Sequence, residues 1–142
     1  MAIVNRADKY TSTSKKQDVY SDFIDTFDAH PETAQLVRVT NEDSIIQSIE
    51  NLIRTNKYER YKNPRMGSNV KKLLFEPTSP ITSSSLQNAI EETISNYEKR
   101  ATLLDVTVSS SDDELSYLVR ITFITSNISQ PISFNLTLFR VR

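Results

Sequence analysis

The stretch LSYLVRITFI, residues 115–124, alternates strictly: Leu115, Tyr117, Val119, Ile121 and Phe123 share one side, with Ser116, Arg120 and Thr122 among the residues on the other. A period of two sends successive side chains to opposite faces of a strand, so the apolar set predicts one buried face. The flanking segments repeat the pattern. In ATLLDVTV, residues 101–108, Leu104, Val106 and Val108 alternate with Asp105 and Thr107. In ISFNLTLFRVR, residues 132–142, Ile132, Phe134, Leu136 and Leu138 oppose Ser133, Asn135 and Thr137. The polar run SSSDDE, residues 109–114, supplies a turn. Three alternating strands on short connections predict an antiparallel sheet with one face covered.

Toward the N-terminus the period changes from 2 to 3.6. In TNEDSIIQSIENLIRT, residues 40–55, Ile45, Ile46, Ile49, Leu52 and Ile53 fall on one helix face. Thr40 or Asn41 is placed to cap it, and Glu42 and Asp43 sit in the first turn, where the helix dipole favours acids. In TSSSLQNAIEETISNYEKR, residues 82–100, Leu86, Ala89, Ile90, Thr93, Ile94 and Tyr97 keep helical spacing, with Thr82 or a following serine as cap. Between these helices lies YKNPRMGSNVKKLLFEPTSP, residues 61–80, with the single glycine of the chain and three of its five prolines. Gly67-Ser68 reads as an entry turn with Ser68 as cap, Val70, Leu73 and Leu74 as a short apolar stripe, and Pro77 and Pro80 as stops. Helices first and strands second give an α+β fold: two or three helices packed on a C-terminal three-stranded antiparallel sheet. Residues 1–40 read as irregular. The polar start is expected to be an extended or mobile arm over residues 1–18, and residues 19–142 a single domain. Val19, Tyr20, Phe23, Ile24 and Phe27 are too few to build a core and are expected to dock on the domain or on a partner.

Composition narrows the chemistry. A length of 142 residues suits one domain with a real core. No apolar run approaches a membrane span or a signal peptide, so the expectation is a soluble protein made in a cytoplasm. The absence of cysteine excludes disulfides, thiol catalysis and thiolate metal sites. Seventeen basic and eighteen acidic residues, read as mixed along the chain, leave a net charge of −1 and argue against general nucleic-acid binding. The sequons at Asn127 and Asn135 read as chance. The only histidine, His30, lies in a turn before Pro31 with no base or ligand cluster around it. No metal spacing, phosphate loop or cofactor motif is found, so no metal, cofactor or catalytic residue is expected. Glu59, Glu76, Glu91, Glu92 and Glu98 are candidates for a carboxylate pair, but nothing groups them.

Several pieces in fixed order carry a resemblance over residues 20–108. They are SDF at Ser21–Phe23 and PET at 31–33, NEDSIIQSIENLIRTN at 41–56, Glu59-Arg60, NPRMGSNVKKLLFEP at 63–77, NYEKR at 96–100, and the strand LLDVTV. Together they resemble the baseplate wedge, or sheath-initiator, proteins of contractile-tailed phages and the related lysozyme-like subunit of type VI secretion baseplates. Two positions depart from that family. It usually has Gly where this chain has Tyr58, and Glu-Pro-Arg where this chain reads Glu98-Lys99-Arg100. With Lys99 in place of Pro, the long helix is free to run further.

The resemblance implies a structural subunit of the virion baseplate, synthesised in the host bacterial cytoplasm and present in several copies around a six-fold particle. Its implied partners are other wedge proteins through their helical core bundle, the tail sheath protein, and the tail tube or hub, with no nucleic acid and no membrane. The implied partner-binding residues are Glu98, Lys99 and Arg100 at the helix end, Glu59 and Arg60 in the turn, and Ile132, Phe134, Leu136, Leu138 and Arg140 on the last strand, an edge able to accept a strand from another chain. The alternative is a lysozyme-like, peptidoglycan-degrading enzyme of the baseplate.

Overall fold

The computed structural model describes residues 19–29, 34–111, 115–126 and 128–140. The expected arm over residues 1–18, His30, Asn127 and the second half of the SSSDDE turn, residues 112–114, lie outside them. Two short strands open the described chain, β1 (Ser21–Phe23) and β2 (Arg38–Thr40), followed by helices α1 (Asn41–Arg54), α2 (Val70–Leu73) and α3 (Pro80–Tyr97). Strands β3 (Ala101–Ser110), β4 (Ser116–Thr125) and β5 (Ile128–Phe139) then form an antiparallel sheet in the order β3-β4-β5. The α+β architecture expected from the change of period is the one observed.

The core lies between the helices and one sheet face. From α1 come Ile45, Ile49 and Ile53, from α3 Leu86, Ile90 and Ile94, and from the sheet Val106, Tyr117, Val119, Ile121, Phe123, Leu136 and Leu138. Each such side chain contributes about 1.5–3 kcal/mol relative to an exposed one, so this shared face dominates the fold's stability. The apolar sides read from alternation in β4 and β5 are the buried sides, with Phe123 and Phe134 meeting edge to face at 6.2 Å between centroids. The opposite face mixes polar residues with the exposed Leu118 and Phe139, and Thr122 and Ser133 hydrogen-bond across it at 3.0 Å.

Five local expectations change. Leu104 does not point inward. A register shift between Leu103 and Asp105 inserts an extra residue in β3, leaving Leu104 53 % exposed while Ala101, Leu103, Val106 and Val108 face the helices. One bulged residue reverses the alternation on its N-terminal side, which a strict period-2 count cannot register. Pro80 is not a stop but the first residue of α3, where its missing amide is harmless. Ser79 caps the helix, its hydroxyl accepting from the Thr82 amide at 3.1 Å. At α2 the cap position is Asn69. Ser68 sits one residue earlier and is buried, its hydroxyl donating to the Ile53 carbonyl at 2.6 Å. Residues 19–40 are not wholly irregular: β1 pairs with β2, and Asn41 fastens this hairpin to α1, its side-chain oxygen accepting from the Val19 amide at 2.9 Å. Finally, α3 does not run on through Lys99. Glu98 leaves helical geometry at ψ 87° because its side chain turns inward.

Candidate functional site

Glu98, at the C-cap of α3, is only 5 % exposed. A buried carboxylate at the negative end of a helix dipole is doubly unfavourable unless it is paired. Two residues meet the need. Arg100 grips it with two bonds, Nε to Oε1 and an Nη to Oε2, each 2.7 Å, and the Ser48 hydroxyl donates to Oε2 at 2.6 Å. The Arg100 guanidinium also lies over the Tyr20 ring, 5.5 Å from its centroid, so one cation joins the start of β3, the end of α3 and the N-terminal hairpin. Burial pushes the Glu98 pKa up, but the hydrogen bonds from Arg100 and Ser48 and the Arg100 charge outweigh it, and the carboxyl ends below its ordinary value. The bond to Glu98 raises Arg100, with burial acting against it. Lys99 faces out and donates to the Ser95 carbonyl at 3.1 Å, satisfying one of the last carbonyls of α3.

The turn after α1 is equally constrained. The Ser68 amide donates to the Thr55 carbonyl at 2.8 Å, and the Lys57 amide donates to the Ser68 carbonyl at 3.3 Å. Gly67 has φ +131°, and a Cβ there would lie 2.7–2.8 Å from backbone atoms of Thr55 and Asn56, so only glycine fits. Tyr58 has φ +73°, the left-handed region that glycine adopts freely and a residue with a side chain does not. Glu59 folds back on the turn, accepting from the Asn56 amide at 2.8 Å, and Arg60 approaches the Met66 sulfur at 3.4 Å. The Tyr97 hydroxyl, donating to the Arg65 carbonyl at 2.5 Å, clamps the turn to the end of α3.

The third feature is the open edge of β5. The Arg140 amide donates to the Leu115 carbonyl at 2.8 Å, and the register runs on through Leu138 opposite Tyr117, Leu136 opposite Val119 and Phe134 opposite Ile121. Antiparallel residues that bond to the neighbour alternate with residues whose amide and carbonyl face away. Ser133, Asn135, Thr137 and Phe139 therefore aim their main-chain groups at the outer edge, where the sheet has no further strand among the described residues. Pro131 takes the next outward position and has no amide to offer. Ile132 and Phe134 are half-buried, leaving apolar surface beside that edge, whereas Leu136 and Leu138 are enclosed and Arg140 is half-buried.

Of the residues singled out from sequence, Glu98 and Arg100 are thus brought together, Glu59 and Arg60 share one braced turn, and the β5 residues lie along one edge. Ser48 and Tyr20 were not legible as part of the first group, because they lie 50 and 80 residues from their partners and carry no motif. The five candidate carboxylates do not converge. Glu91 accepts from Gln87 at 2.9 Å, Glu92 pairs with Lys57 at 3.9 Å, and Glu98 is saturated by Arg100 and Ser48. Among the described residues no group of three or more metal-ligating side chains forms, and no helix is long and apolar enough to cross a membrane.

The model of the family described as baseplate wedge protein gp25 matches residues 39–127, and the chain belongs to that family. The baseplate wedge protein gp25 of Enterobacteria phage T4 is 34% identical over 80 residues, 56% of this chain and 61% of its own length, so the chain matches about three fifths of that relative. A Geobacter sulfurreducens protein provisionally labelled a tail lysozyme has the same fold, with a TM-score of 0.66 at 22% identity over 71% of this chain and 92% of its own. A chain of the six-fold baseplate of the anti-feeding prophage superposes with a TM-score of 0.60 at 20% identity, over 87% of each chain. The protein is therefore a structural component of a phage or tail-like baseplate.

Proposed function

We propose that this subunit sits in the inner wedge, binds other wedge proteins near the Glu98–Arg100 end of α3, and starts the tail sheath by accepting a sheath strand on β5. The observation that supports this reading best is the outward set of main-chain groups at Ser133, Asn135, Thr137 and Phe139. Main-chain bonds to an added strand give affinity without specificity, and the half-buried Ile132 and Phe134 supply the specificity by favouring a strand that is apolar on the helix side. Glu98 acts from within: it fixes Arg100, whose outer face and the neighbouring Lys99 remain available to a partner. Synthesis in the host cytoplasm and contact with the tail tube or hub belong to the same proposal.

The reading is non-enzymatic. Glycoside cleavage needs a carboxyl kept protonated near neutral pH, and Glu98, the buried candidate, is shifted the other way. A turbidity assay on bacterial cell walls tests this half, and clearing by the purified chain that is lost in Glu59→Gln, Glu76→Gln or Glu98→Gln would overturn it.

Proline scanning of β5 tests the other half. Thr137→Pro removes an outward amide only, so the protein should fold, enter baseplates and leave them without sheath. Leu136→Pro removes an amide bonded to β4 and should cost about 3 kcal/mol or more of stability. Normal sheaths on baseplates carrying folded Thr137→Pro would refute strand acceptance.

A further inference from the structure

The near-neutral charge of the whole chain hides a local concentration. Residues 57–72 hold Lys57, Arg60, Lys62, Arg65, Lys71 and Lys72 against the single acid Glu59, a net charge of +5 in a chain of −1. Lys57 has its own partner in Glu92 at 3.9 Å, and the Glu59 carboxylate is occupied by Asn56. Arg60, Lys62, Arg65, Lys71 and Lys72 are exposed and form no ion pair among the described residues. Tyr58 and Tyr61 stand beside them, 78 % and 100 % exposed.

This is not a loose charged loop. Its base is fixed by a glycine that tolerates no Cβ and by Ser68, and its tip is clamped to α3 by Tyr97. Tyr58 is held in a left-handed conformation that costs about 1–2 kcal/mol for a residue with a side chain. Three unpaired cations and two bare tyrosines on a pre-ordered turn, with two more unpaired cations on α2 just beyond it, gain nothing for the isolated fold. They have the composition of an interface, where Tyr and Arg are enriched and rigid anchors dominate the energy.

We propose that the turn at residues 57–66, together with Lys71 and Lys72 of α2, is a docking surface for an acidic segment of a second protein. The occupant carries Asp and Glu to match the cations, with apolar or aromatic residues to cover Tyr58 and Tyr61. A protein fits better than a nucleic acid. Glu59 stands within the patch, and Asp25, which accepts from Asn51 in the last turn of α1, lies toward the same end of that helix, so both would repel a polyanion extending past the tip. The surface is separate from the β5 edge, so loss of one leaves the other intact.

Zero-length carbodiimide coupling in purified tail particles tests the proposal, because it joins lysine amines only to carboxylates in contact with them. Lys62, Lys71 and Lys72 should couple to Asp or Glu of a second protein. Coupling confined to Glu59 or Glu92 of this chain, no coupling, or lysines that become reactive only after nuclease treatment would each overturn it. The double substitution Lys62→Glu/Arg65→Glu should leave the isolated chain's melting temperature within a few degrees of wild type and lower its occupancy in particles at least tenfold. Lys62→Arg/Arg65→Lys should retain occupancy, and wild-type occupancy of the charge-reversed form would equally overturn the assignment.

Discussion

Gly67→Ala would test the turn that joins α1 to α2. The added methyl carbon would sit 2.7 Å from the Thr55 oxygen and 2.8 Å from the Asn56 carbonyl carbon and oxygen. All three are backbone atoms, so no rotamer change makes room. Restoring ordinary contact requires a displacement of about 0.7 Å. The same displacement opens the two bonds that close the turn, from the Ser68 amide to Thr55 at 2.8 Å and from the Lys57 amide to Ser68 at 3.3 Å. Two such bonds contribute about 0.5–1.5 kcal/mol each, and holding a non-glycine residue at φ +131° costs about 1–3 kcal/mol. The expected loss is therefore about 2–6 kcal/mol, a large fraction of the ~5–15 kcal/mol that holds a domain together. For a chain of this size it should lower the melting temperature by roughly 10 °C. Thermal and urea unfolding followed by circular dichroism measure it. A variant melting within 2 °C of wild type would show that the turn yields without loss and that the fit around Gly67 is not a constraint.

Arg100→Ala should destabilise more than Glu98→Gln, by about 3 kcal/mol against about 1, because it strands a buried carboxylate whereas the partly exposed guanidinium can turn to water; equal losses in urea melts would count against that asymmetry. The Glu98 carboxyl has a lowered folded pKa, so its contribution is complete above about pH 4.5 and is lost as pH falls through the folded value. The stability gap between wild type and Glu98→Gln should thus be flat from pH 7 to 5 and close as pH falls below the ordinary Glu value, and a gap that widens on acidification would refute that sign. Tyr58→Gly relieves a left-handed residue at the expense of unfolded-chain entropy, so stability should rise by about 0.5–1 kcal/mol, read as a higher urea midpoint, while particle occupancy falls.

Much of this architecture is written in local periodicity. The stripe of α1 and the alternation of β4 and β5 identify their buried faces because each face is a property of neighbouring residues. What escaped depends on distance or on single backbone angles. Leu104 alternates correctly with Val106 on paper, yet one bulged residue turns it outward. Pro80 reads as a stop unless Ser79 is recognised as the cap in front of it. The hairpin of β1 and β2 is three residues a side and leaves Phe23 exposed, so no burial pattern marks it. Glu98 resembles any charged helix end until Ser48 and Tyr20 are brought to it by the tertiary fold. The edge of β5 was legible as an edge, but which amides face out follows only from the bond at Arg140.

That edge also sets a condition on supply. Two free copies meeting in solution can zip their β5 strands to each other, and such encounters grow with the square of the free concentration, whereas capture by a fixed site grows only with its first power. Pro131 shortens the stretch available for this self-pairing to the four outward amides between Ser133 and Phe139, and the polar Ser133, Asn135 and Thr137 disfavour stacking of sheets thus joined. A chain built this way is safest when scarce. Its copy number in the producing cell is therefore a structural parameter: expressed far above its assembly partners, it would accumulate as edge-paired dimers before any particle could recruit it.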